Sequence, residues 1–317
     1  MRIVVIGAGM AGLTAAGLIA AEGHDVTVLD KGRRPGGRMA TKQLGGGASA
    51  DHGAQFFTVR TEAFSAVVDQ WVADGIVHEW CRGFSSEDGY PRFAVAHGMA
   101  ELAAHMSVGL DVRSSVQVDA VRSAGSQWEV AWPATQRGAA GVIETDVVVL
   151  TPPAPQAATL VASEVTIPEL AYEPMLSLLV ALGDPPPVPS PGGVQLEDDP
   201  TWSWIGDNLA KGASTVPAVT LHTRADVAAS RWDEDNEALT SDLVHAAEPW
   251  IRGAEIIDAR LHRWRYATPL EPQPEPCLVR ADGRLVFAGD AFGGPRIEGA
   301  FLSGRAAADA VVNGSLR

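Results

Sequence analysis

The chain has 317 residues, of which 46% are hydrophobic and 20% are charged. These proportions exclude the disordered and fibrous classes, and the length predicts two domains. Lys and Arg number 24 against 39 Asp and Glu, which gives a net charge of −15. Because such a chain repels a phosphate backbone, we expect no nucleic-acid partner.

The cysteines and the apolar segments indicate the cellular compartment of the protein and whether it spans a membrane. Only Cys81 and Cys277 occur, and their spacing fits neither a metal site nor a secreted disulfide scaffold, so we expect a cytoplasmic protein without a metal. Glycines interrupt the apolar residues 1–21, which therefore predict strand, turn and helix rather than a signal peptide. No other stretch approaches the roughly 18 apolar residues of a membrane span, and we expect no membrane partner.

The first thirty residues have the pattern of a βαβ unit. Residues 2–6 form an apolar strand, 13–21 an Ala-rich helix and 25–29 a second strand. Between the first strand and the helix lies the turn Gly-Ala-Gly-Met-Ala-Gly, whose GxGxxG spacing lets backbone N–H groups approach a pyrophosphate. The sequence therefore predicts a dinucleotide site, formed by Gly7, Gly9, Met10, Ala11 and Gly12.

Asp30 lies about twenty residues after the glycine turn, at the end of the second strand. A carboxylate in this position can accept hydrogen bonds from a ribose hydroxyl group. The alternative interpretation is an ordinary turn aspartate.

The rest of the chain alternates between segments with helical periodicity and segments with strand periodicity. The predicted elements are helices at 62–74 and 99–107, short strands within 111–150, rigid proline-rich connections at 184–191 and 269–276, and a final strand, loop and helix at 285–288, 289–296 and 300–312. The last three restore an α/β pattern and return the chain to the first sheet.

Three further segments bear on which dinucleotide binds. Residues 33–38 read RRPGGR, residues 286–290 read VFAGD, and residues 299–304 read GAFLSG. They resemble, in the same order, FAD-contacting segments of the amine-oxidase flavoprotein superfamily, the last being a helix start that faces the flavin. The resemblance implies FAD as the cofactor. The further FAD-binding residues that we expect on this basis are Lys31, Gly37, Arg38, Gly289, Asp290, Gly299 and Ala300.

A narrower resemblance involves residues 51–57, DHGAQFF, and 261–267, LHRWRYA. Both are similar to the renalase branch of these flavoproteins. This resemblance implies an oxidase that takes hydride from dihydro-NAD(P) isomers, restores NAD(P)⁺ and passes the electrons to O₂ as peroxide. Two alternatives remain open: a flavin amine oxidase, and a flavin-binding redox sensor or scaffold without turnover. Superfamily amine oxidases often use a lysine near the flavin, and the sequence indicates none.

The alternation of residue types in 261–267 can also be interpreted without the resemblance. In a strand, His262, Trp264 and Tyr266 share one face and Arg265 points to the other. The rings could stack on a pyridine and the arginine could pair with a substrate phosphate, although domain-interface packing gives the same pattern. Gln55 is a candidate donor to the flavin or to a substrate amide, or a loop cap. We take these five residues as candidates for positioning the substrate.

For His52, covalent flavin attachment, proton transfer and a structural hydrogen bond all remain open.

The expected fold is α/β, with a Rossmann-like FAD-binding domain and an interleaved mixed-sheet substrate domain, as the resemblance to flavoproteins of the p-hydroxybenzoate hydroxylase type implies. The expected FAD-binding domain comprises 1–51, 111–151 and 272–317. The substrate domain then comprises 52–110 and 152–271.

Overall fold

The computed structural model describes residues 1–84, 89–136 and 138–314. The last three residues of the expected segment 272–317 lie outside the described residues. The chain divides into two compact units. Unit 1 comprises Met1–Gly37, Ala103–Ala171 and Pro269–Arg317, and unit 2 comprises Arg38–Leu102 and Tyr172–Thr268.

The described strands are, in chain order, β1 (Arg2–Ile6), β2 (Asp25–Asp30), β3 (Thr41–Gln43), β4 (Ser49–Asp51), β5 (Val77–Cys81), β6 (Arg92–Val95), β7 (Asp111–Ser114), β8 (Ala120–Ala124), β9 (Gln127–Trp132), β10 (Gly141–Thr145), β11 (Val147–Leu150), β12 (Tyr172–Leu182), β13 (Gly193–Gln195), β14 (Trp202–Asp207), β15 (Ala218–Thr223), β16 (Ile256–Pro269), β17 (Leu278–Arg280) and β18 (Leu285–Phe287). The helices are α1 (Met10–Ala21), α2 (Glu62–Ala73), α3 (Met99–Met106), α4 (Ala154–Leu160), α5 (Ala225–Ser230), α6 (Asn236–Ala246), α7 (Glu248–Ile251), α8 (Asp290–Gly293) and α9 (Ile297–Gly314), and Gly45–Gly47 form a 3₁₀ turn.

Unit 1 is built on a six-stranded sheet with the order β17-β18-β11-β1-β2-β7. Neighbouring strands from β18 to β7 run parallel, and β17 alone is antiparallel to its neighbour. Strands β1 and β11 are continuous β-branched and leucine runs, and nearly all of their residues are buried, as a parallel sheet covered on both faces requires. The sheet has the predicted Rossmann-like α/β architecture. An antiparallel sheet, β10-β9-β8, completes the unit.

Unit 2 contains a five-stranded sheet with the order β13-β14-β15-β12-β16. Strand β15 is antiparallel to both of its neighbours, β14 and β12. On one face, Leu178, Val219 and Leu221 form a core with helix residues Leu239 and Leu243 of α6. The opposite face has a different composition, because Ser177, Thr220 and His222 alternate with those apolar residues along the strands. Unit 2 therefore buries these polar side chains on one side of its sheet, beside a small apolar cluster that contains Leu179, Ala181 and Ala218.

The units divide the chain differently from the expected domains over four segments, of which 103–110 and 269–271 are short and lie in unit 1. The segment 38–51 belongs to unit 2, because Asp51 at the end of β4 bonds to Asn208 and Thr220. The segment 152–171 belongs to unit 1, where Gln156 of α4 accepts a hydrogen bond from Lys31. In both cases side chains distant in sequence, which periodicity does not reveal, decide where the segment packs.

Within the described residues, no helix has both the length and the apolar character needed to span a bilayer.

The close packing of α1 and α9 gives a first prediction. A Cβ atom built on Gly304 would lie 2.4 Å from the carbonyl oxygen of Ala11, whereas one on Gly17, also in α1, would meet no atom within 4 Å. We expect Gly304→Ala to lower the free energy of unfolding by about 1–3 kcal/mol in urea denaturation. Gly17→Ala is the matched control and should raise it by up to about 1 kcal/mol. Equal effects of the two substitutions would contradict the packing.

Candidate functional site

The glycine turn of unit 1 is closed on one side and open on the other. Gly7 follows β1 with a φ of +104°, a conformation that glycine adopts freely. A Cβ on Gly12 would lie 1.9 Å from the Gly7 carbonyl oxygen, so no larger residue fits there. A Cβ on Gly9 would meet only the carbonyl oxygen of Gly36, at 3.9 Å. The space above Gly9 is therefore the place where a ligand can approach the backbone.

Helix α1 begins directly at this turn with an uncompensated N-terminus. Gly9 is its N-cap and contributes no side-chain hydrogen bond, and the first turn, which starts at Met10 and Ala11, contains no acidic residue. The first N–H groups of a helix have no partner within the helix, and their partial positive charge attracts anions. The turn thus has the geometry and the charge to bind a pyrophosphate.

The GGR segment lies against the same turn. The N–H of Gly36 donates to the carbonyl oxygen of Ala8 at 2.8 Å, and a Cβ on Gly37 would lie 3.5 Å from the Gly9 Cα. Arg38 belongs to unit 2 and donates to the carbonyl oxygen of Ala267 at 3.1 Å, and its contact with FAD stays a prediction. Its guanidinium therefore fixes the end of β16.

The Asp30 carboxylate also supports the turn. Its Oδ2 accepts from the Ala8 N–H at 2.7 Å, and its Oδ1 accepts from the Gly32 N–H at 2.6 Å. These bonds tie the end of β2 to the loop after β1, and the second lone pair of each oxygen is left for a ribose hydroxyl. Lys31 bonds to Gln156 at 3.3 Å and lines a shallow cavity of about 240 Å³.

The C-terminal segment follows β18. Gly289, with a φ of +142°, donates its N–H to Ser303 Oγ at 2.8 Å, and Asp290 is buried at the start of α8. Helix α9 begins at Ile297 rather than at Ala300, and the Ala300 N–H is bonded to the Arg296 carbonyl oxygen. The N–H groups of the first turn therefore belong to residues before Ala300, including Gly299, which is buried.

The residues of unit 1 fit a dinucleotide cofactor. The fit rests on the open face of Gly9 and the uncapped start of α1, both of which a Cβ or a capping side chain would remove. We therefore keep the prediction that the named residues of unit 1 bind FAD. The N–H group of Ala300 is already bonded within the helix, so Ala300 can contact FAD only through its other atoms.

In unit 2, the polar side of the sheet centres on a buried ion pair that the sequence did not indicate. Lys211 Nζ lies 2.9 Å from Asp51 Oδ2, and both side chains are about 1% exposed. The other carboxylate oxygen, Oδ1, accepts from Thr41 Oγ1 at 2.6 Å and from the Met99 N–H at 2.8 Å. Lys211 thus lies in the same buried network as the candidate residue Gln55.

Gln55 is enclosed by this network. Its Oε1 accepts from Lys211 Nζ at 2.9 Å, and its Nε2 donates to the carbonyl oxygens of Asp51 at 2.7 Å and Gly53 at 3.1 Å. Nε2 also lies 3.4 Å from Nε2 of His222. These partners hold the amide from both ends, and a role of Gln55 toward the flavin or a substrate amide stays a prediction.

The rings of His52, His262 and Trp264 form a compact cluster in unit 2. The His52 ring is stacked on Trp264, with centroids 5.2 Å apart and planes 16° apart, and His262 lies edge-on to both at 4.4 and 4.3 Å. Trp264 is anchored by an Nε1–H hydrogen bond to the His52 carbonyl oxygen at 2.6 Å. Among the described residues, His52 Nδ1 has no hydrogen-bond partner, although the atom is buried.

The histidines of this region are uncharged. Burial, followed by the nearby His262, Lys42 and His222, lowers the pKa of His52 from 6.5 to about 3. Burial and then Lys211 lower the pKa of His222 to about 3, and burial and then Lys42 lower that of His262 to about 4. At neutral pH the cluster therefore offers neutral imidazole rings.

The alternation predicted for β16 is present, and it separates the candidate residues. His262 and Trp264 contact His52 on one face, and Tyr266 packs edge-on against Tyr172 at 5.6 Å. Arg265 lies on the other side, over the Trp232 ring at 4.8 Å. The structure therefore does not bring Arg265 together with the rings.

Unit 2 contains a second aromatic cluster. It contains Phe56, Trp80, Phe84 and Trp204, with ring centroids between 4.8 and 6.4 Å apart. Members come from a loop, from β5 and from β14, so sequence spacing alone could not have joined them. Among the described residues, no group of three His, Cys, Asp or Glu side chains is arranged to hold a metal ion.

Two regions of the chain match known families. Residues 5–71 match the NAD(P)-binding Rossmann-like domain, and residues 213–312 match the flavin containing amine oxidoreductase family. Each match covers less than half of the chain. Together with the dinucleotide turn, the second match supports FAD as the cofactor.

The curated relatives are similar over short stretches. A hydroxyneurosporene desaturase of Rubrivivax gelatinosus is 52% identical over 59 residues, which is 19% of this chain and 11% of that protein. An L-amino-acid oxidase of Daboia russelii is 59% identical over 40 residues, 13% of this chain and 8% of that protein. The matched stretches thus span about a tenth of the length of these relatives.

Solved structures share the fold over nearly the whole chain. A putative protoporphyrinogen oxidase from Exiguobacterium sp. 255-15 has a TM-score of 0.72 at 13% identity, with 98% of each chain covered. Putrescine oxidase bound to putrescine has a TM-score of 0.67 at 15% identity, with 98% of this chain and 99% of the other covered. At these identities the likeness establishes the fold.

The open face of Gly9 gives a prediction that separates cofactor binding from folding. A methyl group at this position meets no protein atom closer than 3.9 Å but enters the space proposed for the pyrophosphate. We expect Gly9→Ala to leave the urea midpoint of the apoprotein within error and to weaken FAD binding at least tenfold, about 1.4 kcal/mol. Fluorescence titration of the apoprotein with FAD measures the second quantity. Unchanged FAD affinity would contradict the assignment of this turn.

The lowered histidine pKa values predict how stability depends on pH. His52 and His222 stay neutral in the folded chain down to about pH 3, but each binds a proton near pH 6.5 on unfolding. The unfolded state therefore binds more protons below pH 6.5, and stability falls as the pH falls. Each histidine contributes a slope of about 1.4 kcal/mol per pH unit between roughly pH 6 and 4.

Urea denaturation of His222→Asn at several pH values tests this dependence. Its slope should be smaller than that of the parent by about 1.4 kcal/mol per pH unit. Gln43→Ala, a substitution of an exposed residue without an ionisable group, is the control and should leave the slope unchanged. A parent slope that survives His222→Asn would show that this histidine is not held neutral.

Proposed function

We propose that the chain is an FAD-dependent oxidase that takes hydride from the dihydropyridine ring of a dihydro-NAD(P) isomer. The donor loses one hydride and becomes the aromatic pyridinium of NAD(P)⁺. The two electrons and the hydrogen pass with one solvent proton to O₂, which becomes hydrogen peroxide. What FAD supplies when bound is a two-electron acceptor that O₂ can reoxidise. We place the enzyme in the cytoplasm, since both of its cysteines are free thiols.

The observation that carries this proposal is the uncharged ring cluster of His52, His262 and Trp264. A dihydropyridine is neutral at the reacting ring and aromatises on losing hydride, so it needs no base. Imidazoles that stay neutral over the physiological range suit such a donor, because they neither compete for a proton nor charge the site. The resemblance of residues 51–57 and 261–267 to the renalase branch supports the same substrate class.

The charges of unit 2 are consistent with a neutral reacting ring. Among its described residues, the buried acids are Asp51, which is paired with Lys211, and Asp207, whose Oδ1 accepts from the Leu209 and Ala210 N–H groups. An ammonium substrate would need a carboxylate that is not already engaged.

Within this proposal, the residues of the chain bind and orient. Trp264 offers a flat surface whose orientation is set by its bond to the His52 carbonyl oxygen, and His52 completes the stack. Orientation of this kind brings the reacting carbon into position without any proton transfer by a side chain.

Amine oxidation is the second candidate. It is favoured by the match of residues 213–312 to the flavin containing amine oxidoreductase family and by the shared fold of putrescine oxidase. An amine must be deprotonated before it loses hydride, so its reduction rate rises with pH. This dependence separates the two candidates.

Anaerobic stopped-flow reduction tests the proposal, with bleaching of the flavin as the readout. The 1,2- or 1,6-dihydro-NAD isomer should bleach the flavin far faster than ordinary 1,4-NADH or primary amines. The rate should be flat between about pH 5.5 and 9, since His52 and His262 remain neutral throughout. Trp264→Ala should slow it up to about tenfold through loss of stacking, and Trp232→Ala, on the other side of β16, is the matched control.

Bleaching by amines alone, with a rate that rises with pH, would replace the proposal by amine oxidation. Absence of bleaching by every donor would favour a flavin-binding sensor or scaffold. An equal loss of rate in Trp264→Ala and Trp232→Ala would show that the ring cluster has no special part in reduction.

A further inference from the structure

Unit 2 contains a cavity of about 510 Å³ at the edge of its five-stranded sheet. Strand β16 is the last strand of this sheet, and the cavity is lined by residues of its first half, of helix α6 and by Lys42 of β3. Val244, Ile256 and Leu261 form apolar parts of the wall, and Ser241 adds a hydroxyl group. Cavities of about 300–1,000 Å³ with an apolar lining and a few polar groups are typical of small-molecule sites.

Two cations and one acid line this cavity, although the chain as a whole has a net charge of −15. The cations are Lys42 and Arg260, and the acid is Glu237. An acidic surface repels anions, so a cavity with an excess of positive charge is a place where an anion can bind.

Arg260 is held in place by its neighbour Asp258. Its Nε lies 3.0 Å from Asp258 Oδ1, and Asp258 Oδ2 also accepts a hydrogen bond from the Gly45 N–H at 2.9 Å. Among the described residues, Arg260 bonds through Nε alone, which leaves both of its Nη groups for a ligand or for water. A planar guanidinium with two open Nη groups can bind two oxygens of a phosphate in parallel hydrogen bonds.

The cavity adjoins the ring cluster of His52, His262 and Trp264. Leu261 lines the cavity and is followed directly by His262 in β16. Lys42 lines the cavity as well, and after burial its charge is the cause of the lowered pKa of His262. Because the effect of a charge weakens with distance, the Lys42 side chain lies near the cavity and near the His262 ring.

We propose that this cavity is a phosphate subsite, in which Lys42 and Arg260 bind the pyrophosphate group of a dinucleotide whose reacting ring lies against the ring cluster. The inference rests on the proposed function in the choice of ligand, since a dihydro-NAD(P) isomer carries both a neutral reacting ring and a pyrophosphate. The two cations then hold the charged part of the substrate, and the uncharged rings receive the part that reacts. Glu237 opposes the ligand by its like charge.

Calorimetric titration of the holoprotein with inorganic pyrophosphate at low ionic strength tests the subsite, because FAD then occupies the glycine turn of unit 1. Lys42→Gln and Arg260→Gln should each weaken binding about fivefold or more, and Glu237→Gln should strengthen it. Lys42→Arg keeps the charge and should bind as the parent does. Arg252→Gln, a substitution of an exposed arginine outside the cavity, is the matched control. Absence of binding by the parent, or equal affinity of the parent and the two glutamine variants of the cavity cations, would overturn the subsite.

Imidazole ¹H–¹⁵N spectra of the same holoprotein test whether the subsite adjoins the rings. The signals of His262 are those that vanish in His262→Asn. Pyrophosphate should shift them in the parent and not in Lys42→Gln, and it should leave the signals of His24 in unit 1 unchanged. Unshifted His262 signals under saturating pyrophosphate would overturn the placement of the subsite beside the rings.

Anaerobic reduction of the flavin connects the subsite to the substrate. Arg260→Gln should raise the dissociation constant of a reactive dihydro-NAD isomer about fivefold and leave the limiting rate of bleaching unchanged within about twofold. The corresponding dihydronicotinamide riboside has no phosphate, so its dissociation constant should be the same in the parent and in the variant. An equal change of both constants would show that Arg260 does not act on the phosphate.

The subsite and the proposed function fail in different ways. If pyrophosphate binds as expected but no dihydropyridine bleaches the flavin, the proposed function is refuted and the subsite stands. If the isomers bleach the flavin but pyrophosphate does not bind, the subsite is refuted and the proposed function stands.

Discussion

The Asp51–Lys211 ion pair is enclosed in unit 2, with both side chains about 1% exposed. Removing two such charges from water costs several kcal/mol for each ion, and mutual attraction offsets this only when the remaining lone pairs and hydrogens are also bonded. Here Asp51 Oδ1 is bonded by Thr41 and Met99, and Lys211 also donates to Gln55. The pair therefore fixes the hairpin of β3 and β4, the start of α3 and the loop after β14 in one arrangement.

Neutral histidines follow from the same arrangement. A buried lysine raises the cost of a second positive charge nearby, and it contributes, after burial, to the lowered pKa of His222. Lys42 has a comparable effect on His52 and His262. Positive charge in this unit thus acts to keep imidazole rings neutral, and the neutral rings in turn suit a substrate that needs no proton transfer.

The sequence predicted local features well. The glycine turn, the βαβ unit and the alternation of His262 and Trp264 against Arg265 depend on residues a few positions apart, and periodicity reports such relations. The contact of Lys211 with Asp51 joins residues 160 positions apart in sequence, and no spacing rule predicts it. Arg38, which its motif predicts to contact FAD, donates to carbonyl groups of β16 more than two hundred residues away, and the motif does not report that contact.

The glycine turn of unit 1 and the polar side chains of unit 2 therefore constrain the sequence differently. The cofactor turn needs a short run of glycines followed by a helix, so it can be recognised from the sequence. The polar side of unit 2 depends on single residues from β4, β12, β15 and the loop after β14, each of which is common elsewhere. Gln55 is held by Lys211 and by the carbonyl oxygens of Asp51 and Gly53, so the ion pair and the loop after β4 keep one arrangement that no local sequence pattern encodes.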